Sequence, residues 1–277
     1  MCAYFTGDAS PGVIKTLKMD ILESIDQEWG DDFLERLRSR PGLAGASPPF
    51  PVSLAHGDVV EIRGESGSGK SLLLGHLICS VLTPVNEGGC GAGVLLLDLD
   101  HKIKVGDLQR LLTSQGKSEE AAKTCLSNLF LLSAYDAASY DLCVAQLPSV
   151  LRKYRNISLV AIDSAGAFYH SERLHKDISF ERFAAKRVQR VSKAIEKFHV
   201  SLVFTLQPWR RSRTVEEEPN EPEERRDIVS EITHQVNLGN QQEREGAMME
   251  IESEGEERKL RYVISSFSDM KLSELPE

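Results

Sequence analysis

Apolar residues along this chain follow two rhythms. Val94 to Asp98, Leu129 to Leu132, Leu159 to Asp163 and Ser201 to Leu206 are short, nearly unbroken apolar runs. Such runs suit strands buried on both faces. Val59 to Arg63 reads as a further short strand, running into a glycine-rich loop. Between these runs the apolar spacing changes to three and four, which predicts helices over Ser71 to Leu82, Leu108 to Thr113, Tyr140 to Tyr154 and Phe180 to Phe198. Pro84 ends the first helix, and the third is expected despite Pro148. Strands alternating with helices predict an α/β fold whose mostly parallel sheet is flanked by helices on both faces. The rhythm changes after Gln207. Ile232 to Leu238, Ala247 to Ile251 and Leu260 to Phe267 read as strands without intervening helices, so a C-terminal antiparallel extension of the sheet is expected.

Two segments stand apart. Residues 13 to 38 read as an amphipathic helix, with Leu17, Ile21, Ile25 and Trp29 on a stripe that Phe33, Leu34 and Leu37 extend. Packing on its own domain and docking on a partner both remain open for it. Pro41, Gly42, Gly45, Pro48, Pro49 and Pro51 then break regular structure. Residues 1–52 are therefore read as a helix and linker, and residues 53–277 as one α/β domain. The other segment, Trp209 to Asp227, holds seven acidic residues against five arginines, Arg210, Arg211, Arg213, Arg225 and Arg226. It has little apolar surface to bury and is expected to be a mobile loop.

Composition narrows the class. The formal net charge of −9 argues against nucleic-acid binding over the whole surface but leaves room for a local basic patch. No apolar run reaches the roughly 18 residues of a membrane helix, and the first residues lack the pattern of a secretory signal. A cytosolic or nuclear protein is expected. Cys2, Cys79, Cys90, Cys125 and Cys143 show no CxxC pair and no metal-ligand spacing, so no structural zinc is expected, and buried free thiols are expected at Cys79 and Cys143.

The strongest chemical signal is Gly64-Glu65-Ser66-Gly67-Ser68-Gly69-Lys70-Ser71, a complete GxxxxGK[ST] loop with a strand before it and a helix after it. Glycines let successive backbone N–H groups turn toward phosphate oxygens, and the helix N-terminus adds its positive end. Lys70 would reach the β and γ phosphates of ATP, and the Ser71 hydroxyl would ligate Mg²⁺. Asp163 emerges from the carboxyl end of a buried strand, where open α/β sheets bind ligands, and would hold a water on the metal. Leu97-Asp98-Leu99-Asp100 ends a strand expected to lie beside the phosphate loop, which makes Asp100 the candidate for orienting an attacking water. Gln207 ends another apolar strand and would sense the γ-phosphate. Capping or local hydrogen bonding is the alternative reading for Asp163, Asp100 and Gln207, and an incidental glycine turn is the alternative for the loop.

This ordered set, Gly-Glu-Ser-Gly-Ser-Gly-Lys-Ser, Leu-Leu-Asp-Leu-Asp, Val-Ala-Ile-Asp-Ser and Phe-Thr-Leu-Gln, resembles the RecA-type recombinases and their eukaryotic paralogues over about residues 55 to 267. Glu87-Gly88-Gly89, Asp98-Leu99-Asp100 and Asp163-Ser164-Ala165-Gly166-Ala167-Phe168-Tyr169 resemble one short paralogue in particular, and the family's usual N-terminal DNA-binding domain is not expected. The resemblance implies a P-loop NTPase core of RecA-like fold. It also implies a nuclear role in homologous-recombination DNA repair, ATP and Mg²⁺ as cofactors, and hetero-oligomeric assembly with other recombinase paralogues on single-stranded or branched DNA. The loops after Asp163 and Gln207 would face DNA. In the first, Arg173, His175, Lys176 and Arg182 are available for phosphate contacts. In the second, Arg210, Arg211 and Arg213 would serve a strand backbone while Trp209 stacks on a base, opposed by Glu216, Glu217 and Glu218.

Two departures bear on activity. Family members that hydrolyse ATP well carry glutamate where this chain has Asp100, one methylene shorter, so hydrolysis is expected to be weak or absent. The family's self-assembly motif Phe-x-x-Ala occurs nowhere in the chain, where the linker offers Phe50-Pro51-Val52-Ser53. A subunit that caps a complex rather than extending a filament is therefore expected. A self-sufficient DNA-dependent ATPase or recombinase, a scaffold without nucleotide use and a P-loop small-molecule kinase stay open as alternatives.

Overall fold

The computed structural model describes residues 40–44, 50–173, 178–208, 232–239, 247–253, 255–266 and 269–274. The amphipathic stretch at 13–38 and the loop 209–227 lie outside the described residues.

The chain order is β1 Val59–Gly64, α1 Lys70–Leu82, β2 Gly93–Asp98, α2 Val105–Ser114, α3 Glu119–Leu126, β3 Leu129–Ser133, α4 Ala137–Lys153, β4 Ile157–Asp163, α5 Tyr169–Arg173, α6 Phe180–Ile195, β5 Ser201–Leu206, β6 His234–Leu238, β7 Ala247–Ser253, β8 Glu256–Ser266 and β9 Asp269–Glu274. One nine-stranded sheet runs β3-β2-β4-β5-β1-β6-β7-β8-β9. Strands β1 to β6 pair in parallel, and β6 to β9 pair antiparallel.

The unbroken apolar runs follow from burial on both sides. Val60, Ile62, Val94, Leu96, Leu159, Ala161 and Val203 face one core with α1, α2 and α3. Val59, Leu95, Leu97, Val160, Ile162, Leu202 and Phe204 face the other, with α4 and α6. Neighbouring residues thus belong to opposite layers, and each such side chain contributes roughly 1.5–3 kcal/mol on burial. In β7, which alternates buried and exposed, Ala247, Met249 and Ile251 continue the first core while Met248, Glu250 and Glu252 face out.

Four features differ from the sequence expectation. First, β6 is parallel to β1, so the antiparallel extension begins one strand later than expected. Residues 207–233, between β5 and β6, are long enough for the crossover that parallel pairing needs. Second, β4 and β5 separate β2 from β1, so the strand carrying Asp98 is not the neighbour of the phosphate loop. An apolar run records burial, not rank in the sheet. Third, α3, α5 and β9 have no counterpart in the expected elements. Fourth, the described residues of the stretch read as a linker, 40–44 and 50–52, make contacts with the domain. Arg40 donates to the carbonyls of Ile157 and Leu151, the Ser158 hydroxyl donates to Pro41 O at 2.7 Å, and Leu43, Phe50 and Val52 join the first core. Cys79 and Cys143 are buried free thiols, as expected. No described helix is long and apolar enough to cross a membrane.

Candidate nucleotide site at the carboxyl edge of the sheet

The loop from Gly64 to Ser71 joins the end of β1 to the start of α1, and its glycines have geometric reasons. Gly69 stands at φ 94°, in the left-handed region, and a Cβ there would come within 2.4 Å of Ile264 Cδ1. A Cβ on Gly64 would lie 2.4 Å from Ser68 Oγ and 2.8 Å from the Leu238 carbonyl. β6 and β8 therefore press the loop from the C-terminal side. The Tyr262 hydroxyl completes this contact, donating to Ser68 O at 2.8 Å and to Gly239 O at 2.6 Å.

Lys70, the first residue of α1, is 9% exposed and folds back over the loop, its Nζ donating to Gly64 O at 2.8 Å and Glu65 O at 2.6 Å. Burial, and after it the ammonium of Lys102, pull Lys70 down to about 8. Ser71 Oγ donates to Asp163 Oδ2 at 3.0 Å, which joins the helix start to the end of β4. Thr205 on β5 donates to the other carboxylate oxygen. Burial pushes the Asp163 carboxyl above the usual carboxylate range, against the hydrogen bonds from Thr205 and Ser71.

Asp100 reaches the same edge from β2, because the backbone N–H groups of Leu99 and Asp100 donate to Asp163 O at 2.7 and 3.0 Å. Its Oδ2 accepts from Ser164 Oγ at 3.0 Å and from Lys102 Nζ at 3.1 Å. Asp98 turns away from this group. It is buried and accepts from His101 N at 2.8 Å, and burial raises its carboxyl. Capping describes Asp98 well.

One cavity of about 420 Å³ collects these groups, lined by Ser66, Gly67, Gly69, Lys70, Ser71, Leu72, Asp100, Lys102, Asp163, Ser164, Thr205, Gln207 and Ile264. It thus brings together the glycine loop, Lys70, Ser71, Asp100, Asp163 and Gln207. The remaining loop residues act from behind: Gly64 and Glu65 hold Lys70 through their carbonyls, and buried Ser68 accepts the Tyr262 hydroxyl. Lys102, Ser164, Thr205, Ile264 and Tyr262 were missing from the sequence-derived site. Ser164 and Thr205 stood inside the quoted motif strings, whereas Tyr262 and Ile264 reach the loop only through strand pairing.

Arg173 and Arg182 lie apart from the cavity. Both are exposed, Arg173 at the end of α5 and Arg182 in the first turn of α6, on either side of residues 174–177. His175, Lys176, Trp209, Arg210, Arg211 and Arg213 lie outside the described residues. The segment after Asp163 is held by Arg187 of α6, which donates to Ala167 O at 2.9 Å, pairs with Glu172 at 3.3 Å and stacks 4.2 Å from the Tyr140 ring centroid.

The donor chemistry fits a hydrated magnesium nucleotide. Ser71 Oγ and Asp163 Oδ2 are hard oxygen donors of the kind Mg²⁺ prefers, and a cation would relieve the penalty on the buried carboxylate. Loop amides at a helix start, with a buried lysine beside them, suit phosphate oxygens. The fold and this edge together define a RecA-like α/β core.

Comparison with known proteins agrees. No family model matches the chain. It is 31% identical over 192 residues to the DNA repair protein XRCC2 of Mus musculus, an alignment covering 65% of this chain and 68% of that protein. The chain belongs to the RecA-type recombinase paralogues.

Proposed function

We propose that this chain is an ATP-binding subunit of a recombinase-paralogue complex that acts in homologous-recombination DNA repair in the nucleus. Its relative is a DNA repair protein, which supports the biological role. The observation that carries the nucleotide reading is the meeting of Lys70, Ser71 and Asp163 around one cavity at the carboxyl edge of the sheet. Loop amides and Lys70 would bind the β and γ phosphates, and Ser71, with Asp163 through a water, would hold Mg²⁺. The cation supplies charge neutralisation between those phosphates when bound.

Nucleotide would serve mainly to set conformation and assembly. Asp100 favours this over rapid turnover: its side chain is one methylene shorter than glutamate and is engaged by Ser164, so it is poorly placed to orient water. Gln207 lines the cavity one residue beyond β5, where it would report the terminal phosphate to the loop that follows. Arg173 and Arg182 would contact the phosphates of single-stranded or branched DNA within the complex, together with Lys176, Trp209, Arg210, Arg211 and Arg213.

The test compares the full chain with Lys70→Ala in cells and in vitro. We expect wild type to bind Mg·ATP and to co-purify with other recombinase-like chains. Lys70→Ala is expected to lose the nucleotide and to weaken both assembly and repair. Normal assembly and repair by that variant would instead indicate a scaffold that does not use nucleotide. Robust DNA-stimulated hydrolysis by the isolated chain would favour a self-sufficient ATPase.

A further inference from the structure

Lys102 has no part in the chemistry assigned so far, yet it lines the cavity. Among the described lining residues, Lys70 and Lys102 are the cationic side chains, and they approach from different sides. Lys70 is buried beneath the loop and tied to two of its carbonyls. Lys102 sits two residues past Asp100, and its side chain is 55% exposed and paired with Asp100 Oδ2 at 3.1 Å. That carboxylate in turn accepts from Ser164, the residue after Asp163, and Asp163 accepts from Ser71. The chain of contacts Lys102–Asp100–Ser164 therefore borders the position that a terminal phosphate would occupy next to the cation held by Ser71 and Asp163.

A terminal phosphate there meets two carboxylates. Mg²⁺ would offset Asp163, but Asp100 has no metal to offset it. A lysine on a long, half-exposed stem beside Asp100 can turn from carboxylate to phosphate oxygen with little rearrangement. A diphosphate would end nearer Lys70 and leave Lys102 on Asp100.

We propose that Lys102 is a second phosphate-anchoring cation of this cavity, one that leaves Asp100 for the terminal phosphate and so makes the site prefer a nucleoside triphosphate to a diphosphate. This rests on the nucleotide reading above. It adds that the preference is carried by a side chain outside the glycine loop.

The experiment measures equilibrium binding of Mg·AMP-PNP and Mg·ADP to the full chain by titration calorimetry, for wild type, Lys102→Ala and Lys102→Arg. Loss of one charge-assisted contact should weaken Mg·AMP-PNP roughly tenfold in Lys102→Ala. Mg·ADP should change by less than about twofold, within the spread of an exposed ion pair. Lys102→Arg should restore most of the triphosphate preference. Lys102 is exposed enough that the fold should tolerate both changes, and melting curves check this. Unchanged affinity for both nucleotides, or an equal loss for both, would overturn the proposal and leave Lys102 as a surface partner of Asp100. Failure of wild type to bind either nucleotide would overturn the nucleotide reading itself, and this inference with it.

Discussion

Tyr262→Phe isolates the contact between the C-terminal strands and the phosphate loop. Tyr262 is 0% exposed, and its hydroxyl donates to Ser68 O at 2.8 Å and Gly239 O at 2.6 Å. Burial pushes the phenol up to about 12, so it stays a neutral donor through the working pH range. Phenylalanine keeps the ring, and with it the packing in the first core. What is lost is the one proton shared between two main-chain carbonyls. Leaving such acceptors unsatisfied costs about 1–3 kcal/mol. For a domain of this size that corresponds to a fall in melting temperature of roughly 2–4 °C per kcal/mol, or about 2–12 °C in total. Because Ser68 lies inside the loop, the loop should also be less well held. Mg·ATP affinity should then fall severalfold, while a core substitution of equal destabilisation remote from the loop leaves it unchanged. Thermal unfolding and calorimetric titration read the two effects. A variant that melts within about 1 °C of wild type and binds nucleotide equally would refute the reasoning.

Two further predictions concern buried charges. Glu61, in the middle of β1, is 4% exposed, and burial pushes its carboxyl up to about 7 from 4.5, with Arg63 pulling the other way. The folded state therefore holds that proton more tightly than the unfolded chain. The stability contribution is greatest below pH 4.5 and is lost as pH rises toward 7. Glu61→Gln should gain about 2–3 kcal/mol over wild type at pH 8 and little at pH 5. Denaturant titrations at the two pH values check this, and an equal gain at both would count against it. Lys70 gives the second prediction. With its free-state value near 8 and phosphate favouring the charged form, nucleotide binding should take up a proton, and affinity should fall by up to tenfold per unit above pH 8. Calorimetry in buffers of different ionisation enthalpy reads the uptake; flat affinity from about pH 7 to 10 would contradict it.

Whatever depended on burial or on a contiguous motif was legible in the chain. Runs such as Leu159 to Ile162 are apolar throughout because both sheet faces are covered, so their length and type could be read directly. The glycine loop carries its own steric reasons within eight residues. What escaped depends on contacts between distant segments. The parallel pairing of β6 with β1 is decided by the crossover after β5, not by anything within His234 to Leu238. Tyr262 and Ile264 meet the loop because β8 follows β7 across the sheet, and a tyrosine in a strand has no local mark of that role. Lys102 has no local mark of a role, and it comes to the cavity beside Asp100, which Ser164 holds there. Arg40 and Leu43 sat among prolines and glycines, where composition suggested a linker, yet both are buried. Only α3 had a usable local signal, Ser118 capping the Ala121 N–H ahead of Glu119 and Glu120.

The central claim, that the glycine loop and Asp163 share one magnesium nucleotide, is tested most directly by a crystal structure of the full chain grown with Mg·AMP-PNP. The triphosphate is expected against the amides of residues 66–71, the metal on Ser71, and Lys70 Nζ turned from the carbonyls of Gly64 and Glu65 to phosphate oxygens. Lys70 Nζ still on the carbonyls of Gly64 and Glu65 in saturating nucleotide, or a nucleotide bound elsewhere on the chain, would contradict this.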